Sequence, residues 1–190
     1  MSKLETNTID TISGTSNLTI GSTNSSTVTF ENGAATGHMY PAFEAYLSAD
    51  QTLTNNVATL VQFDTEVFDT DSAFDNTATN YKFTVPSGQD GKYYIFSRLA
   101  FSSGAVSNLN YNDLGIYLNG SAIGRIASQF QNNDVYNAPE EISMILDLSA
   151  GDYIQVYGRL NINSGTPSIV SGGGASRILD SVFGAYRIGA

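Results

Sequence analysis

Five carboxylates, Asp64, Glu66, Asp69, Asp71 and Asp75, fall within twelve residues and form the densest acidic group in the chain. Two carboxylates at a suitable separation can hydrolyse a glycosidic bond, one as acid and one as base or nucleophile. Asp69-Thr70-Asp71 also matches the first ligands of a calcium loop. The run then lacks the Asp/Asn-Gly step and the bidentate Glu that complete an EF-hand, so that reading fails. Every fold places acids in loops, and the cluster is read as a solvated loop whose metal-binding role stays unassigned.

Other chemistry is thinner still. The only histidine, His38, has no second ligand nearby and lies in the neck before Pro41, so it is read as structural or incidental and a Ser–His–Asp arrangement is not expected. Gly172-Gly173-Gly174 carries no Lys and opens no helix, so it is no phosphate cradle. The absence of cysteine removes disulfides, zinc fingers, iron–sulfur ligation and thiol nucleophiles together. No catalytic residue and no cofactor is expected, and the chain is read as a non-enzyme.

Eight basic residues stand against eighteen acidic ones, a formal charge of −10. Such a field repels polyanions, which disfavours nucleic acid and anionic membrane surfaces as partners. It suits solubility in a protein present in many copies. The start, Met1 to Thr6, has no apolar core of a signal peptide, and no apolar run reaches membrane-spanning length, so a cytoplasmic product without membrane insertion is expected. Three Asn-x-Ser/Thr matches, at Asn17, Asn24 and Asn119, are what so Asn/Ser/Thr-rich a chain yields by chance.

The elements that must position any site divide the chain in three. Residues 1–36 are rich in Thr, Ser, Asn and Gly, with short apolar clusters at Ile9 and Ile12, Leu18 and Ile20, and Val28 and Phe30. Strands so short bury their apolar side only when several chains share the task, so 1–36 is read as a β-rich stalk or anchor, the alternative being a flexible linker. Residues 37–41 read as a neck. From residue 42 to 190, apolar runs separated by turns at about ten-residue spacing predict an all-β sandwich. Predicted strands cover 42–47, 81–85, 92–101, 114–118, 122–126, 142–148, 153–162 and 178–188. Asn119-Gly120 predicts a type I′ hairpin turn, because both central residues there need positive φ.

Two of these strands are apolar on both faces. Along 91–99, Tyr93, Ile95 and Leu99 share one face while Tyr94 and Phe96 share the other. Along 151–160, Ile154 and Val156 oppose Tyr153, Gln155 and Tyr157. An outward row of aromatics in a sandwich marks a subunit interface, for which Tyr94, Phe96, Tyr153 and Tyr157 are the candidates; the alternative is that loops of the same chain cover them.

The stretch from Pro41 to Ile188 resembles the C1q/TNF-like jelly roll. Phe63, Asp69, Phe74, Phe83, Gly91 and Tyr93 follow the order of that family's signature, although two spacings are about two residues longer and Ile95 replaces the usual Phe. Leu146 to Asp152 and Ser181-Val182-Phe183-Gly184-Ala185-Tyr186 match two further family segments. The resemblance implies a compact homotrimer and allows a structural calcium, with no ligand position that carries over. The leader, with Thr8-Ile9-Asp10-Thr11-Ile12 and Leu18-Thr19-Ile20-Gly21, is similar in style to the N-terminal portion of bacteriophage fibre and appendage proteins.

Together these readings describe a trimeric fibre or spike of a virion, assembled in the host cytoplasm, anchored to other virion proteins by its N-terminal segment and mediating attachment through its head. The alternatives are a capsid decoration or head-fibre protein, a carbohydrate-cleaving tailspike and a secreted C1q-like adhesin. Recognition of a host-surface glycan or protein is expected in the loops 103–111, 131–137 and 163–176, rich in Asn, Ser, Gly and Tyr, with Tyr111, Asn132 and Tyr136 as the contacts.

Overall fold

A computed structural model of the chain describes residues 41–106, 108–131, 135–171 and 181–189. All of them belong to one compact unit, Gly37–Ala190. The predicted stalk 1–36, His38 and the rest of the neck before Pro41 lie outside the described residues.

Thirteen strands make up the described chain: β1 (Ala42–Tyr46), β2 (Gln51–Thr52), β3 (Thr59–Leu60), β4 (Thr65–Asp69), β5 (Phe74–Asp75), β6 (Lys82–Thr84), β7 (Gly91–Ser102), β8 (Leu109–Leu118), β9 (Ser121–Gln129), β10 (Asn137–Leu148), β11 (Tyr153–Ile162), β12 (Ser168–Val170) and β13 (Val182–Gly189). The first sheet runs β2-β12-β7-β13-β1-β4, with β10 on the other edge of β7. The second runs β5-β6-β11-β8-β9, with β3 also against β11. Every pairing is antiparallel.

Period-two alternation sends one row of each strand inward. In β7, Tyr93, Ile95, Leu99 and Phe101 are fully buried while Tyr94, Phe96 and Arg98 are half-buried. In β11, Ile154, Val156 and Leu160 face the same core. The centre of that core is aromatic. Phe43 of β1 stacks on Phe74 at 4.8 Å and on Phe83 at 4.9 Å, and meets Phe183 edge-on at 4.9 Å. Phe63 and Tyr93 join at 5.7 Å from Phe183 and Phe83. The four aromatic residues among the spaced positions, Phe63, Phe74, Phe83 and Tyr93, therefore meet in one cluster through Phe43 and Phe183. Asp69 serves it from outside, its carboxylate accepting the amide of Phe74 at 2.8 Å and so setting the turn that delivers that ring. Gly91 starts β7 at φ +139°, a conformation side chains disfavour. Asn119 and Gly120 take φ +50° and +79°, the turn expected between β8 and β9.

The sequence reading and the fold differ at the shortest strands and at several residues assigned to loops. Strands β2, β3, β5 and β12 have two or three residues each, too few to show a period. Glu66 and Asp69, read as loop acids, lie in β4 at the sheet edge. Tyr111, read as a loop residue, lies within β8. The stretch 163–176, read as a loop, contains β12, whose Ile169 is fully buried. Strands β12 and β13 share one edge of β7 in succession. The buried Ser181 hydroxyl joins them there, accepting from the Ala100 amide at 3.1 Å and donating to the Val170 carbonyl at 2.6 Å.

Two outcomes follow from the aromatic core. Phe43→Ala removes the ring that three others touch and should cost about 3–5 kcal/mol, read as a lower urea midpoint. Burial pushes the Tyr93 phenol up to about 12; nearby Arg187 opposes this, and Asp71 and Asp90 add to it. The unfolded chain releases that proton near the ordinary tyrosine value of about 10, so the contribution is complete below about pH 10 and is lost as pH rises towards about 12. Urea midpoints compared between about pH 9 and about pH 11.5 should fall, and should fall less in Tyr93→Phe.

Candidate functional site

The acidic cluster does local work. Asp64 accepts from the Ser48 amide at 2.8 Å and hydroxyl at 2.6 Å. Partial burial opposes ionisation there, but these two bonds and one from Thr65 outweigh it and hold the carboxyl below its ordinary value. Asp69 accepts from Asp71 and Phe74. Asp75 accepts from the Thr77 hydroxyl and amide and from Asn80, and it too is held low. A general acid for glycoside cleavage needs the opposite shift, a raised carboxyl. Among the described residues, no group of three or more His, Cys, Asp or Glu side chains is placed to hold a metal ion.

The four interface candidates occupy two opposite faces of the sandwich, because β7 and β11 belong to different sheets. On the first sheet, Tyr94 and Phe96 point outward with ring centroids 6.1 Å apart, and Tyr94 lies 5.3 Å from Tyr186 of β13. Phe96 pairs across the ladder with Gly184. A Cβ at that glycine would sit 2.7 Å from Phe96 Cε1 and 2.9 Å from the Phe43 carbonyl oxygen, so only glycine lets the ring lie flat. Ile145 of β10 stands opposite Tyr94 and is 61% exposed. Phe68 of β4 is exposed on the far side of the same face, opposite Glu44. At the sandwich edge, β9 exposes Ile123 and Ile126 beside the partly buried Ile142 and Met144 of β10.

The second sheet turns a different surface outward. Tyr153, Gln155, Tyr157 and Arg159 alternate along β11, beside Tyr111, Asp113, Gly115 and Tyr117 of β8. The Tyr117 and Tyr157 rings lie 4.2 Å apart, inclined by 36°. Burial raises the Tyr157 phenol above its ordinary value, and the neighbouring Tyr117 and Tyr153 add to the effect. Lys82 Nζ sits 5.0 Å from the Tyr153 ring centre. Gln155 is buried and donates to the Asn80 carbonyl at 2.7 Å, pinning the loop after β5.

Next to the tyrosine pair is a charged cluster. Asp113, nearly buried, receives Arg159 Nε at 2.8 Å and Nη2 at 2.7 Å, and Arg125 Nη2 approaches it at 3.5 Å. The bond to Asp113 is the main reason that the Arg159 guanidinium is held above its ordinary value. Both guanidiniums also donate to the Tyr111 hydroxyl and lie over its ring, at 4.8 Å for Arg159 and 5.7 Å for Arg125.

Of the expected recognition residues, Tyr111 thus joins Tyr153 and Tyr157 on one face. Tyr136 is exposed elsewhere, just before β10, where its carbonyl accepts from the Ser103 amide and hydroxyl. Asn132 lies outside the described residues. Sequence reasoning passed over Asp113, Tyr117, Arg125, Arg159, Ile145 and Tyr186. The alternate-position pattern Tyr111-x-Asp113-x-Gly115-x-Tyr117 was the available signal for the β8 members.

The chain matches no family model and no curated protein by sequence. Among solved structures it is similar to the globular domain of zebrafish complement 1qA protein, with a TM-score of 0.52 and 16% identity over 78% of this chain and 96% of that one. It is similar also to murine APRIL in a crystal structure at pH 5.0, with a TM-score of 0.54 and 13% identity over 80% of this chain and 100% of that one. At such low identity the likeness is one of fold, and the fold is a jelly-roll sandwich of the C1q/TNF-like type.

Proposed function

We propose that the chain is a non-enzymatic binding protein whose jelly-roll head assembles as a homotrimer and presents its outward surfaces to a partner. The observation that carries this is the aromatic outer face of the first sheet, Tyr94, Phe96 and Tyr186 with the exposed Ile145 beside them. A solitary soluble domain keeps such a face polar. The apolar edge at Ile123 and Ile126 supplies an unlike surface for it to meet. Contact between two unlike surfaces is heterologous, and it closes into a ring when the rotation permits. The signature's resemblance to C1q/TNF-like domains makes that ring a trimer. Tyr153 and Tyr157, on the opposite face, then stay outside this contact.

In this reading the head belongs to a fibre or spike on a virion, made in the host cytoplasm and anchored through the Thr/Ser-rich leader. The style of that leader supports the setting, and a capsid decoration protein is the same molecule placed elsewhere on the particle. A carbohydrate-cleaving tailspike is disfavoured by Asp64 and Asp75, whose carboxyls are held low by hydrogen bonds from Ser48 and from Thr77 and Asn80, the opposite of what a general acid needs.

Sedimentation equilibrium of the full chain should give three times the monomer mass. Ile145→Asp puts a charge into the contact at a position the monomer leaves exposed, so it should sediment as a monomer with an unchanged far-UV spectrum. A native chain at monomer mass, or a trimeric Ile145→Asp, refutes this interface.

A further inference from the structure

We infer that the outer face of the second sheet binds a carboxylate-bearing glycan, with Tyr117 and Tyr157 as the sugar platform and Arg125 as the carboxylate ligand. This names the ligand class for the binding head proposed above and rests on that reading.

The platform is built by a missing side chain. Gly115 sits between Tyr157 of β11 and Arg125 of β9 in the ladder. A Cβ there would come within 3.1 Å of Tyr117 Cε2, so the glycine lets that ring settle against the sheet beside Tyr157. The two half-buried phenol rings stack on each other, so each holds the other in place and the pair leaves an outer ring face with polar rims. Such a ring face matches the C–H face of a pyranose, while the hydroxyls reach its edge.

Charge selects among sugars. The chain carries −10 overall, yet Lys82, Arg125 and Arg159, half of the six basic residues among those described, project from this one face, Lys82 being offset by Asp75 opposite it in the ladder. Asp113 offsets one of the two guanidiniums beside the platform. The remainder is one positive charge, which suits one carboxylate per bound sugar and not a dense polyanion.

Arg159 is committed to Asp113 by two short bonds. The Arg125 side chain is 52% exposed, and only its Nη2 contacts Asp113 or Tyr111. Its Nη1 and Nε have no partner among the described residues, and a guanidinium presents paired donors in the geometry a carboxylate accepts. Tyr111 adds direction, since its oxygen accepts from both guanidiniums and its own proton remains to be donated.

The test is isothermal titration of the full chain with two probes, an oligohexuronate and sialyllactose, against lactose and an acidic Asp/Glu peptide. At least one acidic sugar should bind, with lactose at least tenfold weaker. Arg125→Gln, at an exposed position, should lower that affinity at least tenfold, and Tyr157→Ala should abolish it. No binding of either acidic sugar, equal binding by Arg125→Gln, or equal or tighter binding of the peptide overturns the assignment. Sedimentation of the same samples separates the two readings: a trimer that ignores the sugars defeats only this one, whereas a monomer that binds them defeats only the proposed assembly.

Discussion

Phe43 sits where the two sheets are joined, with Phe74 and Phe83 stacked against it and Phe183 edge-on. These rings come from β1, β5, β6 and β13, so a single contact set unites the first and last of the described strands with the start of the second sheet. Each such aromatic pair adds about 0.5–1.5 kcal/mol beyond the area it buries. The polar features around it serve its geometry. Asp69 sets the turn before Phe74, and Tyr93 closes the group by donating to the Gln89 carbonyl at 2.7 Å. Strand positions elsewhere follow from these inward rings, since a one-residue slip would turn every one of them out to water.

Outward rows inherit their places from the inward ones. Burying Tyr93 and Ile95 makes Tyr94 and Phe96 face out, and burying Ile154 and Val156 does the same to Tyr153, Gln155 and Tyr157. The two exteriors then differ in chemistry. One is aromatic and aliphatic with a glycine under its central ring; the other mixes tyrosine with arginine around an almost buried aspartate. A sandwich with unlike exteriors offers two chemically distinct surfaces, and they meet at β9, where Arg125 lies between Ile123 and Ile126.

Much of this was legible in the sequence wherever strands were long. The inward and outward rows of 91–99 and 151–160 follow from alternation alone, and the Asn119-Gly120 turn follows from its need for positive φ. The short strands were illegible because two or three residues form a strand only when a longer neighbour supplies the ladder, as β7 does for β12. That the four aromatic candidates sit on opposite sides was hidden for another reason: alternation assigns a side within a strand, but not the sheet to which the strand belongs. The charged cluster was hidden by distance along the chain, with Asp113 and Arg159 46 residues apart and Tyr111 and Arg159 48 apart.

The Ser181 hydroxyl clamps the point at which β12 gives way to β13 beside β7. Both ends of the intervening stretch, 171 and 181, are thereby secured: Ser171 donates its amide to Asp50 at 2.9 Å, and Ser181 holds Val170 and Ala100. The places of β12 and β13 beside β7 are thus fixed by side chains of the described residues themselves, one hydroxyl and one carboxylate, in addition to the ladder bonds.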